Sequence, residues 1–382
     1  MLIHVVERGD TLWQLARMYG VAPQTIVTLN GISNPDRLVV GQSLVIPTNA
    51  GSSTSSVRRS LEANAYFVQS GAAAVQQVST LAPALTYLSP FSYQAQTDGS
   101  ISMQLDDTSL IEAARSQGVA PLLVLTNWHG NMFSSDVAHT ILTSEVLQNT
   151  LIENVLQIMG TKGYRGLNID FEYVYPQDRT LYNQFLQMVV DRMHREGLFV
   201  SSALAPKTSA AQQGLLYEAH DYPVHGRLCD FVVLMTYEWG WIGGPPMAVS
   251  PIDQIRQVLN YAITAIPPAK ILMGVSVYGY DWRLPYVSGS RAETLTPMQA
   301  VERAAAHNVS ILYDANAQAP YYMYTAPDQT QHIVWFEDPR SFQAKLDLVG
   351  EYNLRGISFW SYPTDFPQVP ALLGNRFKVV KR

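Results

Sequence analysis

Three polar side chains at two-residue spacing, Asn168, Asp170 and Glu172, interrupt the apolar run Gly166-Leu167-Asn168-Ile169-Asp170-Phe171-Glu172-Tyr173. In an extended strand, alternate side chains share a face. Leu167, Ile169 and Phe171 then point one way, and Asn168, Asp170 and Glu172 the other. Burying an unpaired carboxylate costs several kcal/mol, and two close together raise each other's pKa. A strand shaped for folding alone would not carry such a pair. An ion-pair network would need a basic partner, but the only basic neighbour, Arg165, lies at the strand start and on the opposite face. The pattern therefore points to acid–base chemistry at a strand end.

Something must hold that strand. From about residue 58 onward, short apolar segments alternate with helical ones. The predicted strands are Ala63–Phe67, Ala84–Leu88, Pro121–Thr126, Gly166–Glu172, Leu198–Leu204, Phe231–Tyr237, Ile271–Tyr278 and Gly356–Trp360. Helical periodicity separates them, as over Leu147–Gly160 and Arg179–Glu196. Eight such units predict an α/β fold, a (β/α)8 TIM barrel over residues 58–382. An open doubly wound sheet is the alternative, but no Gly-rich phosphate loop follows a strand. The seventh and eighth strands stand far apart. Between them, about residues 285–350, a helix at Thr296–Ala306 and strand-like pieces at Ser310–Tyr313, Tyr321–Tyr324 and His332–Glu337 predict a small α+β insertion.

The first 48 residues read as a separate βααβ module. Val5-Val6 has strand character, and Asp10 is expected to cap a helix from Thr11 to Tyr19 that Gly20 ends. Pro23 opens a second helix, and Gln42 to Ile46 forms a closing strand. His4-Val5-Val6, Gly9-Asp10-Thr11-Leu12, Ile26, Leu29-Asn30 and Gly41-Gln42-Ser43-Leu44-Val45-Ile46-Pro47 resemble a LysM module, which implies binding to N-acetylglucosamine-containing glycan. Asn49 to Ser56 are small and polar, so residues 49–57 are expected to form a flexible linker between independent domains.

The fourth strand in turn resembles that of glycoside hydrolase family 18, D-G-x-D-x-D-x-E. Gly166, Asp170 and Glu172 match, while Arg165 and Asn168 replace the first two Asp residues. The resemblance implies that Glu172 is the general acid and then the base, and that Asp170 orients the substrate's 2-acetamido group. Met235-Thr236-Tyr237-Glu238 stands where the family has Met-x-Tyr-Asp, which implies that Tyr237 contacts the acetamido oxygen. Trp360, at the end of strand eight, would floor the reacting sugar. Asn168, Asn127, Glu238, Trp360 and Tyr280 are expected to contact substrate; Tyr278, Trp282, Asp281 and Glu337 are weaker candidates. Within the family the chain looks most like the spore cortex-lytic N-acetylglucosaminidases, on its LysM module, Met235-Thr236-Tyr237-Glu238-Trp239-Gly240, Ala319-Pro320-Tyr321-Tyr322 and Val334-Trp335-Phe336-Glu337-Asp338. The expected activity is retaining cleavage after N-acetylglucosamine in peptidoglycan. A chitinase, and a non-catalytic glycan-binding spore-coat protein, are the alternatives.

The remaining numbers narrow the class. Of 382 residues, 47% are hydrophobic and 15% charged, enough to build a core. A net charge of −6 without a basic run argues against nucleic acid as a partner. Cys229 is the single cysteine, so no intrachain disulfide can form. His129, His220, His225 and His332 lack metal-ligand spacing, so neither metal nor cofactor is expected. No apolar run is long enough to span a membrane. The start, Met1-Leu2-Ile3-His4-Val5-Val6-Glu7, does not read as a signal peptide. These features suggest a monomer made inside a sporulating cell and deposited at the spore coat, cortex surface or cell wall.

Overall fold

The computed structural model describes residues 1–47 and 58–382. The proposed linker, residues 49–57, lies outside the described residues. Eight parallel strands, Arg59–Phe67, Tyr87–Pro90, Ala120–Thr126, Gly166–Asp170, Phe199–Leu204, Phe231–Leu234, Ile271–Ser276 and Gly356–Tyr362, pair in chain order. The last pairs with the first, through Ile357 and Ala63 among others, so the sheet closes.

Every residue of strand four is buried, as expected for a parallel strand covered on both faces. Leu167, Ile169 and Phe171 join the large apolar cluster between strands and helices. A separate cluster fills the barrel interior, with Tyr66, Tyr87, Leu122, Val124, Phe231 and Leu272. The floor of the barrel also holds a carboxylate, Glu62. It accepts from Tyr87 Oη at 2.8 Å and Arg355 Nε at 2.6 Å, and pairs with Arg382. Burial opposes ionisation of Glu62, but Arg355 and Arg382 outweigh it and hold the carboxyl below its ordinary range.

Three of the barrel strands end sooner than predicted on the side that carries the site. Strand four stops at Asp170, strand six at Leu234 and strand seven at Ser276. Strand one starts earlier, at Arg59, and Ala82–Ala84 is a 3-10 turn rather than the start of strand two. The insertion begins before residue 285. Its five-stranded antiparallel sheet runs in the order Glu293–Leu295, Gly279–Leu284, Gln331–Trp335, Ala319–Thr325, Leu312–Asp314. The helix Pro339–Glu351 belongs to the barrel, because Phe342, Leu346 and Val349 pack into its main core.

In the N-terminal module, Leu2–Val5 pairs antiparallel with Ser43–Ile46 around helices Leu12–Tyr19 and Pro23–Asn30. Thr11, rather than Asp10, caps the first helix in a reciprocal box with Gln14. Asp10 instead accepts from the Glu7 backbone at 2.7 Å and faces His4 Nε2 at 2.9 Å. The module lies against the insertion and the helix that follows it. Ile311 N–H donates to Val40 C=O (2.9 Å), Ser43 Oγ to Asp338 Oδ2 (2.8 Å), and Arg340 Nη2 to Gly41 C=O (3.0 Å). Gly41 has φ +85°, and a Cβ there would meet the Ile311 carbonyl oxygen at 1.9 Å, so only glycine permits this approach.

Candidate active site

At the C-terminal mouth of the barrel lies a cleft of about 760 Å³, lined among others by Tyr66, Asp170, Glu172, Tyr237, Glu238 and Trp360. Asp170 is the last residue of strand four and points inward. It is 5% exposed, and its Oδ1 has no hydrogen-bond partner among the described residues. Burial pushes its carboxyl up to about 7. Glu172 follows two residues later, half-buried, where the chain has left the sheet and Tyr173 adopts φ +54°. Burial raises the Glu172 pKa well above the ordinary carboxylate range, and the charges of Asp170 and Glu238 raise it further. No Lys or Arg among the described residues pairs with either group, in contrast to Glu62. A carboxyl that keeps its proton near neutral pH can donate it, and its charged neighbour can stabilise a developing cation.

Asn168 sits one layer down, 1% exposed. Its Oδ1 accepts from Tyr66 Oη at 2.9 Å and its Nδ2 donates to Ser201 Oγ at 2.9 Å. With its amide committed on both sides, it supports the site from beneath rather than facing the cleft. Tyr237 and Trp360 stack, with centroids 6.2 Å apart and planes 14° apart; Phe91 and Tyr66 meet the indole edge-on. The Tyr237 hydroxyl donates to no described residue. Strand seven permits this ring, since a Cβ on Gly274 would lie 2.7 Å from Tyr237 Cε1.

Glu238 lines the cleft with φ +66°, and its Oε1 accepts from the hydroxyls of Tyr278 and of Tyr280, the latter at 2.9 Å. Burial raises its pKa against the opposing effect of those two hydroxyls. Tyr280, expected to touch sugar, is 6% exposed and stands behind Glu238. Asn127, with the same expectation, is fully buried. Its Oδ1 accepts the Glu172 backbone N–H at 3.0 Å, and its Nδ2 donates to the Glu172 carbonyl at 2.8 Å. Both act on a cleft residue rather than on the cleft.

Trp282, Asp281 and Glu337 are also structural. Trp282 donates its Nε1–H to Gly244 C=O at 2.9 Å. Asp281 pairs with Arg303 and with His332 Nδ1 at 2.8 Å. Glu337 pairs with the fully buried Lys345 at 2.8 Å. Both acids, weaker candidates for substrate contact in the sequence, are buried and paired away from the cleft. The sequence reading missed Tyr66, Phe91, Trp128 and Trp241 as cleft aromatics. Only Trp241 carried a signal, two residues after the run Met235–Trp239. Among the described residues, no group of three or more His, Cys, Asp or Glu is placed to hold a metal.

The profile of glycosyl hydrolases family 18 matches residues 72–365. The chain belongs to that family. It is a glycosidase, and its barrel with a carboxylate at the end of strand four is the family's architecture. The LysM domain profile matches residues 4–47. The cortical fragment-lytic enzyme of Bacillus subtilis (strain 168) is 42% identical, over 100% of this chain and 99% of that protein. The crystal structure of the Bacillus megaterium spore cortex-lytic enzyme SleL superposes with a TM-score of 0.95 at 38% identity, covering 100% of this chain and 99% of that one. A chitinase from Chromobacterium violaceum shares the fold, with a TM-score of 0.75 at 24% identity over 82% of this chain.

Proposed function

We propose that this glycosidase cleaves β-1,4 bonds after N-acetylglucosamine in spore cortex peptidoglycan, with the substrate's acetamide as nucleophile. The observation that carries the reading is the pair Asp170–Glu172: two carboxyls lining the cleft, one buried and one half-buried, with no Lys or Arg partner among the described residues. Glu172 donates its proton to the glycosidic oxygen as the C1–O bond breaks. The acetamido carbonyl oxygen closes on C1, forming a cyclic cation, and the acetamido N–H donates to the Asp170 carboxylate. Tyr237 donates its hydroxyl hydrogen to the acetamido group, and Trp360 supports the apolar face of the ring. Glu172, now ionised, takes a proton from water that attacks C1 from the face just vacated, and the C1–O bond to the acetamido oxygen breaks, restoring the neutral acetamide. Two inversions give net retention.

The names of the relatives support a cortex substrate, and the LysM module supports attachment to N-acetylglucosamine-containing wall. We place the enzyme at the spore cortex or coat and expect it to act as a monomer. Glu172→Gln keeps the side-chain shape and removes the proton. It is expected to lower turnover of cortex fragments by roughly 10²–10⁴-fold with glycan binding retained. Near-parental turnover would remove Glu172 from its role. Parallel digestion of purified cortex and of chitin tests the substrate: faster cleavage of cortex is expected, and faster cleavage of chitin favours the chitinase reading.

A further inference from the structure

The ladder between strands three and four ends at the pair Thr126–Asp170. Beyond it, the Phe171 carbonyl and the Glu172 N–H and C=O lose their strand partners, although Phe171 is fully buried. Buried backbone groups need partners, and here side chains supply all of them. Asn127 takes both groups of Glu172. Its Nδ2 also donates to Ser134 C=O at 2.9 Å, and Ser134 N–H returns a bond to Asn127 C=O at 2.9 Å, closing the intervening hairpin. His220 takes the third group, with Nε2 2.9 Å from the Phe171 carbonyl oxygen. Its other nitrogen, Nδ1, lies 2.8 Å from the Ala205 N–H, which can only donate. Nδ1 is therefore the acceptor, Nε2 carries the hydrogen, and the tautomer is fixed. Burial holds this imidazole down to about 4, so it is neutral near pH 7. His220 is 1% exposed, and neither side chain lines the cleft.

We propose that Asn127 and His220 are positioning residues that clamp residues 171–172 from two sides and so fix the aim of the Glu172 carboxyl at the glycosidic oxygen. One arm comes from the end of strand three and the other from the segment after strand five, so the strands flanking strand four jointly hold its extension. The Phe171 ring, stacked against Tyr182 and Phe185 with centroids 6.0 Å away, anchors the outward side. The clamp acts through the acid, so the proposal rests on the role assigned to Glu172 above.

His220→Phe keeps an aromatic ring of similar volume and removes both hydrogen bonds, and Asn127→Asp keeps the acceptor but loses the donor. On soluble N-acetylglucosamine-containing cortex fragments, each is expected to lower kcat by roughly ten- to a hundredfold while KM changes less than about threefold. His220→Gln, which restores a donor toward Phe171, is expected to recover part of the loss. In a Glu172→Gln background, His220→Phe is expected to cost nothing further, because the group being aimed is gone. Unchanged kcat in folded His220→Phe and Asn127→Asp overturns the clamp. So does a further full loss in the Glu172→Gln background, or a loss in every variant that follows melting temperature without rescue by Gln. Should Asn127→Asp or His220→Phe fail to fold, kcat and KM of His220→Gln decide: a KM-only change contradicts the proposal. An active Glu172→Gln enzyme would instead refute the acid assignment itself.

Discussion

Glu172 sits near two other carboxyls, Asp170 and Glu238, and the cleft sets how tightly it holds its proton. Ionised Glu238 raises the Glu172 pKa, so Glu238→Gln is expected to lower it. The alkaline limb of the kcat/KM profile should then move to lower pH; a shift to higher pH, or none, would separate Glu238 from the acid. Asp170 offers a stability test. Its folded pKa of about 7 lies above the ordinary value of 3.8, so the folded chain binds this proton more tightly than the unfolded chain. Stability from this group is full below about 4 and is lost as pH rises toward 7. Asp170→Asn should therefore melt above the parent at pH 8, with the gap closing by pH 4. An equal gap at both pH values would contradict the burial argument. Alternation along one strand was enough to place Asp170 and Glu172 on the cleft side. It could not distinguish Asn127 or Tyr280 from sugar-binding residues, because a polar group at a strand end looks the same whether it meets ligand or orphaned backbone. That difference depends on where the ladder stops, which periodicity does not encode.

Strand number, order and the α+β insertion were legible, since apolar segments separated by helical periods leave few topologies that bury both faces. Strand ends were not. At the mouth of the barrel, residues 171–172, 235–238 and 277–278 keep strand-like composition while leaving the sheet, where Glu172, Met235, Tyr237 and Glu238 line the cleft. Nor did composition reveal that residues 279–284 change partners, from barrel to insertion sheet. Gly274 links two of these elements. A methyl there would lie 2.5 Å from the Leu234 carbonyl as well as against the Tyr237 ring, pushing the end of strand six outward. Gly274→Ala is expected to cost about 1–3 kcal/mol of stability and to lower turnover by displacing Tyr237. Unchanged melting and turnover would show that this contact is not tight.

The whole molecule is less modular than a polar linker suggests. The N-terminal module shares backbone and side-chain hydrogen bonds with the insertion, and Val39 packs in one apolar cluster with Ile311, Tyr322 and Phe336. Contacts between residues so far apart in sequence leave no mark in either segment alone. A chain beginning at Arg58 is expected to cleave soluble fragments and to lose sedimentation with insoluble wall. It is also expected to melt several degrees lower, because Ile311 and Asp338 lose their cover. An unchanged melting temperature would mean that docking contributes nothing. Substrate-assisted catalysis requires that the sugar on the non-reducing side of the cut bond carry a free acetamide. Muramic δ-lactam has its nitrogen tied into a ring, and N-acetylmuramic acid adds a bulky lactyl group at O3. The most direct test is digestion of purified spore cortex, borohydride reduction of the products and mass spectrometry of the new ends. Substrate-assisted cleavage after N-acetylglucosamine predicts reduced N-acetylglucosamine at those ends; reduced muramic acid there would make the enzyme a muramidase and contradict the account.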